Sequence, residues 1–239
     1  MANQDFNIWL ESDPNSFLTR TASRVTITRT ASSTLYFTSG NHPAIRRSLN
    51  VDFTHYLTVS QSVGATSPHK VTLWKLLKTT TPTASLAFIV VGPATYSIAE
   101  IYDGVTYNSS TYVGALSTVY YPKITLVRTG ADFGTLTCYI YSDSGRTTLV
   151  ATLTLSLHGF AYYNEIQLLT NSGGTTTAYV ENLDIGIPSL GTPSYTFPSI
   201  VWSAEDCTTY TETDPDTQIT VTASRITAGA SLNYGRVQL

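Results

Sequence analysis

The chain has 239 residues, 12 % of them charged, and a formal net charge of −3. That balance gives no electrostatic basis for binding nucleic acid or an anionic membrane, and no stretch reaches the roughly 18 apolar residues of a membrane span. Thr and Ser fill 66 positions and Tyr 16, a composition that suits pleated, half-exposed strands, while strong helix formers are too few for long helices.

The N-terminus, Met1-Ala-Asn-Gln-Asp-Phe6, lacks the basic and apolar regions of a signal peptide. The expected location is therefore the cytosol or a virus particle, with an extracellular or cell-surface setting as the alternative. Asp5, Glu11 and Asp13 accompany Arg20, Arg24 and Arg29, which reads as mixed surface charge rather than a phosphate site. Asp13-Pro14-Asn15 reads as a turn capped by the Asp carboxylate, with calcium ligation the weaker alternative.

From here the chain reads as strand after strand. Candidates cover 23–29, 33–38 and 51–60, where Val51, Phe53, Leu57 and Val59 share one parity. They continue at 70–77, 85–91, 96–102, 122–129 and 135–142, where Cys138 falls in step with Leu136 and Ile140 and so reads as a buried thiol. The last are 149–157, with five apolar residues alternating with hydroxyls, then 163–170 and 177–185. Asp103-Gly104, Ser142-Asp-Ser-Gly145 and Asn171-Ser-Gly-Gly174 supply turns. Some eleven strands at this spacing imply a two-sheet antiparallel β-sandwich or barrel. The first domain is assigned to residues 1–187.

Residues 188–200 read as a connector, since Pro and Gly interrupt the stretch around Pro188, Pro193 and Pro198. Residues 201–239 are a partial second copy of the N-terminal strands. Asp5–Thr26 aligns with Asp206–Thr227 at a constant offset of 201, with ten of 22 positions identical, among them Asp13-Pro14 with Asp214-Pro215 and Thr21-Ala-Ser-Arg24 with Thr222-Ala-Ser-Arg225. An isolated pair of strands is marginal in water, so this segment is expected to dock in cis or to exchange strands with another subunit. Its candidate assembly residues are Asp206, Tyr210, Ile219, Val221 and Ile226.

The runs Tyr120-Tyr-Pro-Lys-Ile-Thr-Leu-Val-Arg-Thr-Gly130, Thr137-Cys-Tyr-Ile-Tyr141 and Leu149-Val-Ala-Thr-Leu153 resemble the consecutive back-sheet strands of concanavalin-like (laminin-G-like) domains. Thr177-Ala-Tyr-Val-Glu-Asn-Leu-Asp-Ile185 is similar to the strand that returns beside the N-terminus in that family. The resemblance spans roughly residues 5–187. It implies a jelly roll, often with a carbohydrate-binding or adhesive role, in modules frequent in phage and surface proteins.

Catalytic sets are hard to find. Glu181 and Asp184 differ by three positions, so on a regular strand they point to opposite faces and cannot flank a glycosidic bond. His42, His55, His69 and His158 are scattered without local carboxylate partners. No zinc spacing occurs, and two cysteines are too few for a disulfide framework. The loop-like stretch Ile101–Tyr112 gathers Asp103, Tyr107, Asn108 and Tyr112, a set suited to a sugar. The expectation is a non-enzymatic structural or assembly protein without cofactor or metal, virion-associated as a capsid decoration, fibre or filament subunit. It would act as a homo-oligomer or with other virion proteins. The alternative is a carbohydrate-binding or adhesion module.

Overall fold

A computed structural model describes residues 3–30, 35–40, 43–63, 70–78, 84–129, 133–159, 163–171 and 175–187. Beyond these it describes 211–213, 219–222, 225–228 and 236–238. The chain divides into two compact units, Met1–Pro193 and Ser194–Leu239.

The strands of the first unit begin with β1 (Leu10–Ser12), β2 (Leu18–Arg20), β3 (Arg24–Arg29), β4 (Tyr36–Thr38), β5 (Phe53–Val63) and β6 (Lys70–Leu77). They continue with β7 (Ser85–Val91), β8 (Thr95–Tyr102), β9 (Val105–Asn108), β10 (Tyr112–Val113), β11 (Val119–Tyr120) and β12 (Lys123–Val127). The last are β13 (Thr135–Tyr141), β14 (Leu149–Ser156), β15 (Glu165–Leu168), β16 (Thr170–Asn171) and β17 (Thr176–Asp184). One helix, α1 (Pro43–Leu49), and a 3-10 turn at Phe6–Ile8 complete the unit.

Two antiparallel sheets form a jelly-roll-like sandwich. The first has nine strands in the order β1-β4-β15-β6-β7-β8-β10, with β16 beside β6 and β9 beside β8. The second has eight, β14-β13-β12-β5-β17-β3-β2, with β11 beside β5. All eleven expected strands form, because their alternating apolar residues meet across one core: Val25 and Ile27, Leu57 and Val59, Leu86 and Phe88, Leu136 and Ile140 are each 0 % exposed. Leu153, Leu155 and Leu157 are buried as expected, but Val51 is exposed and lies before β5. The stretch 101–112 is not a loop: β9 and β10 pair with β8 there.

The N-terminal strands close one side of both sheets. The β2–β3 hairpin pairs with β17 in the eight-stranded sheet, and β1–β4 pairs with β15 in the nine-stranded one. Phe6, Trp9 and Phe37 lock this corner, with Trp9 stacked on Phe37 at 5.5 Å and Phe6 edge-on to Trp9 at 5.2 Å. Across the core, Trp74 Nε1 on β6 donates to His55 Nδ1 on β5 at 3.2 Å. Complete burial holds the His55 pKa down to about 3, so this imidazole is a neutral core group. Cys138 is buried in the core, where desolvation pushes its thiol pKa up.

Candidate functional site

Alternation turns every second residue of the nine-stranded sheet away from the core. Trp74, Leu76, Phe88, Ile98, Ile166 and Leu168 face inward. Their neighbours form rungs on the outer face. One rung runs Thr38, Gln167, Lys75, Ala87, Ala99, Asn108, and the next runs Glu165, Leu77, Ser85, Ile101, Thr106.

The middle of this outer face is shielded from water, while Thr106 and Asn108 at its β9 edge are exposed. Gln167 is 9 % exposed, Glu165 7 %, Ala87 8 % and Ala99 7 %, and Ala87, Ile89 and Ala99 form an apolar cluster separate from the core. Into this setting the sequence places two charges. Gln167 Nε2 donates to Glu165 Oε1 at 2.6 Å. Desolvation raises the Glu165 pKa, opposed by that hydrogen bond and by the charge of Lys75. Desolvation likewise lowers the Lys75 pKa, with the Glu165 charge opposing. Among the described residues no hydrogen bond or ion pair engages the Lys75 ammonium.

Chemically the face offers three N–H donors at Lys75, amides at Gln167 and Asn108, and a carboxylate acceptor at Glu165. Ala87, Ala99 and Ser97 make a floor of small, buried side chains. Tyr36, 40 % exposed, lies on the same face two residues before Thr38. Dense donors and acceptors over a small-residue floor suit a ligand rich in hydroxyls.

The four residues expected to form a sugar site do not converge. Asp103 occupies the β8–β9 turn with φ 49° and is exposed. Tyr107 and Asn108 are consecutive on β9 and face opposite ways, and only Asn108 joins the outer rung. Tyr107 stacks on His158 at 3.5 Å between centroids and 9° between planes. Tyr112 packs among Tyr96 and Tyr120, at 6.3 and 5.9 Å. Of the assembly residues, Ile219, Val221 and Ile226 lie in strands of the second unit, while Asp206 and Tyr210 lie outside the described residues.

His158 has a carboxylate partner, a distant one that no local spacing contains. Glu100 is 1 % exposed, and its Oε2 accepts from the His158 backbone N–H at 2.8 Å and lies 2.9 Å from His158 Nδ1. The two are 58 residues apart and meet through sheet closure. His158 borders a groove of about 460 Å³ that Phe133, Thr135 and Ser156 also line. The Glu181–Asp184 parity also fails. A bulge at Asn182 (φ 54°) aligns Glu181 with Thr58 and Asp184 with Tyr56, so both partners share one face of β5. Each carboxylate has local structural work: Glu181 accepts from Arg24 Nη2 at 2.8 Å, and Asp184 Oδ1 accepts from the Gly186 N–H at 2.9 Å.

Asp13 caps its turn, with Oδ2 accepting from the Leu18 N–H at 2.6 Å. Its echo at Asp214–Asp216 lies outside the described residues. Among the described residues no group of three or more His, Cys, Asp or Glu could hold a metal ion. None of their helices is long and apolar enough to cross a membrane.

No protein-family model matches the chain, and no curated protein matches it. Solved structures share the fold. The chain is similar to the alginate lyase Aly36B, with a TM-score of 0.53 and 11 % identity over 80 % of this chain and 94 % of the other. Carbohydrate binding module CBM66 from Bacillus subtilis gives 0.44 and 13 % over 77 % and 96 %. A protein of unknown function from Shewanella oneidensis MR-1 gives 0.49 and 14 % over 74 % and 77 %. At 11 % identity the likeness to Aly36B is one of fold alone.

Proposed function

We propose that the first unit is a concanavalin-like glycan-binding module that acts by recognition and not by catalysis. The observation that carries this reading is the outer face of the nine-stranded sheet. There Lys75, Glu165 and Gln167 stand in adjacent rungs beside a buried floor of Ala87 and Ala99, with the exposed Asn108 at the rim. Lys75 and Glu165 oppose one another in charge, which favours a neutral polyhydroxylated ligand over a strongly anionic one. Sugar hydroxyls donate to the carboxylate and accept from the ammonium, replacing the water that both have lost.

Affinity electrophoresis of the purified chain through gels containing soluble neutral polysaccharides tests the proposal. Retardation is expected for at least one, reduced by Lys75→Ala and by Gln167→Ala and kept by Tyr107→Ala. Retardation that survives both outer-face substitutions, in protein with unchanged circular dichroism, overturns the assignment of the face. The assembly role expected from the sequence draws on a different feature, the repeated strand unit.

A further inference from the structure

The repeat is one of pairing as well as of residues. The second unit contains β18 (Thr211–Thr213), β19 (Ile219–Thr222), β20 (Arg225–Ala228) and β21 (Arg236–Gln238). In the first unit β2 and β3 pair Leu18 with Ile27, Thr19 with Thr26 and Arg20 with Val25. In the second, β19 and β20 pair Ile219 with Ala228, Thr220 with Thr227 and Val221 with Ile226, the same register displaced by 201. The outer pair recurs too: β1 with β4 sets Glu11 opposite Phe37, and β18 with β21 sets Glu212 opposite Val237. The connection leading to the fourth strand is one residue shorter in the second copy.

Among the described residues, no third strand lies beside the β19–β20 hairpin. In the first unit β3 lies against β17, with Arg24 opposite Glu181, Val25 opposite Val180, Thr26 opposite Tyr179 and Ile27 opposite Ala178. Arg24 reads β17 directly: it donates to Glu181 and its guanidinium lies 4.2 Å from the Tyr179 ring centroid. The counterparts of these β3 residues are Arg225, Ile226, Thr227 and Ala228. Among the described residues β20 pairs with β19 alone.

Of the residues that meet β17, Arg24, Val25 and Thr26 are matched by Arg225, Ile226 and Thr227, while Ile27, Thr28 and Arg29 give way to Ala228, Gly229 and Ala230, and several core positions shrink. Phe6, Trp9, Ile27 and Phe37, all buried, correspond to Cys207, Tyr210, Ala228 and Val237. A unit so reduced fills this domain's own corner poorly, because vacated core volume is destabilising. The second copy thus suits a different sandwich with the same edge.

We propose that residues 206–239 form a strand-donating unit, whose β20 edge pairs antiparallel with a strand carrying Tyr-x-Glu in the manner of β17 on another β-sandwich. Backbone hydrogen bonds along the edge supply the affinity, and Arg225 against the acidic residue fixes the register.

The test is hydrogen–deuterium exchange of the full chain with a synthetic peptide of residues 174–186 as the probe strand. Saturating peptide is expected to slow exchange in Ile219–Ala228 by about tenfold or more, leaving Arg24–Arg29 unchanged. Arg225→Glu should abolish that protection, and a peptide carrying Glu181→Lys should restore it to the Arg225→Glu chain. The proposal is overturned if the peptide leaves exchange unchanged, or if protection ignores both charge substitutions. It is equally overturned if Ile219–Ala228 is already fully protected without peptide at every protein concentration, for then the edge has a partner within the chain.

Discussion

The outer faces of the two sheets are built from the same alternation and differ in what they do with it. On the eight-stranded sheet, Thr125, Thr137 and Tyr139 are half-buried and Thr152 and Thr154 exposed. Its aromatic rings carry cations above them: Arg146 on Tyr56 at 4.9 Å, Lys123 on Tyr139 at 5.6 Å, Arg24 on Tyr179 at 4.2 Å. Rings and cations satisfy one another there, although burial still lowers the Arg146 pKa. On the nine-stranded sheet Glu165, Gln167, Ser85, Ala87, Ser97 and Ala99 of the same orientation are buried, and the half-buried Lys75 ammonium makes no hydrogen bond or ion pair among the described residues. The contrast teaches that exposure of aromatic residues is a poor guide to a site in this chain. Shielded charge over small residues is the better one.

The largest expected effect belongs to the core that both faces share, and it sets the conditions for the rest. The folded-state pKa of His55 lies near 3, below its unfolded value of about 6.5, so the folded chain binds fewer protons. The stability this group contributes is present above pH 6.5 and is lost as pH falls toward 3, at about 1.4 kcal/mol per pH unit. Urea titrations between pH 7 and 4 should show about 3 kcal/mol of loss from this source, and His55→Gln should flatten that slope. The faces are best compared above pH 6.5.

There the contrast can be broken directly. Ala99→Trp fills the floor of the shielded face and should lower glycan affinity about a hundredfold, near 2.7 kcal/mol. Thr154→Trp on the open face should leave it within about twofold. Equal effects in a titration of both variants would remove the distinction. A finer version compares lysines. Lys75→Met should cost about tenfold in affinity and lower thermal stability, since the buried Glu165 carboxylate then loses its opposing charge. Lys123→Met should change neither by much. The smallest effect is on the open face: Arg24→Met loses a surface ion pair and a ring contact, about 1 kcal/mol by chemical denaturation.

How much of this was legible depends on whether period two survives at a given strand. It does so wherever one side of a strand must enter the core, the edge strand β14 included, and all eleven were readable for that reason. It fails at β9. Val105–Asn108 carries no apolar alternation because β9 flanks β8 with most of its residues in water. Residue spacing also misled at Asn182, where a left-handed residue inserts into the ladder and reverses the parity beyond it. The His158–Glu100 contact depends on which strands close the sandwich, and no local window contains both. The shielded rungs did leave a signal. Lys75 interrupts Val-Thr-Leu-Trp-Lys-Leu-Leu, and Glu165 and Gln167 alternate with Ile166 and Leu168. Polar residues at every second place in otherwise apolar strands mark an outer face that is not simply open to water.

One small feature carries a consequence for how the sequence tolerates drift. A Cβ placed on Gly159 would sit 1.9 Å from the Tyr102 ring, and the neighbouring residue, His158, is the one whose backbone N–H reaches Glu100. In a saturation library screened only for yield of folded protein, position 159 should return glycine alone unless Tyr102 shrinks at the same time. The two positions would then appear as a coupled pair, although neither lies on the outer face of the nine-stranded sheet.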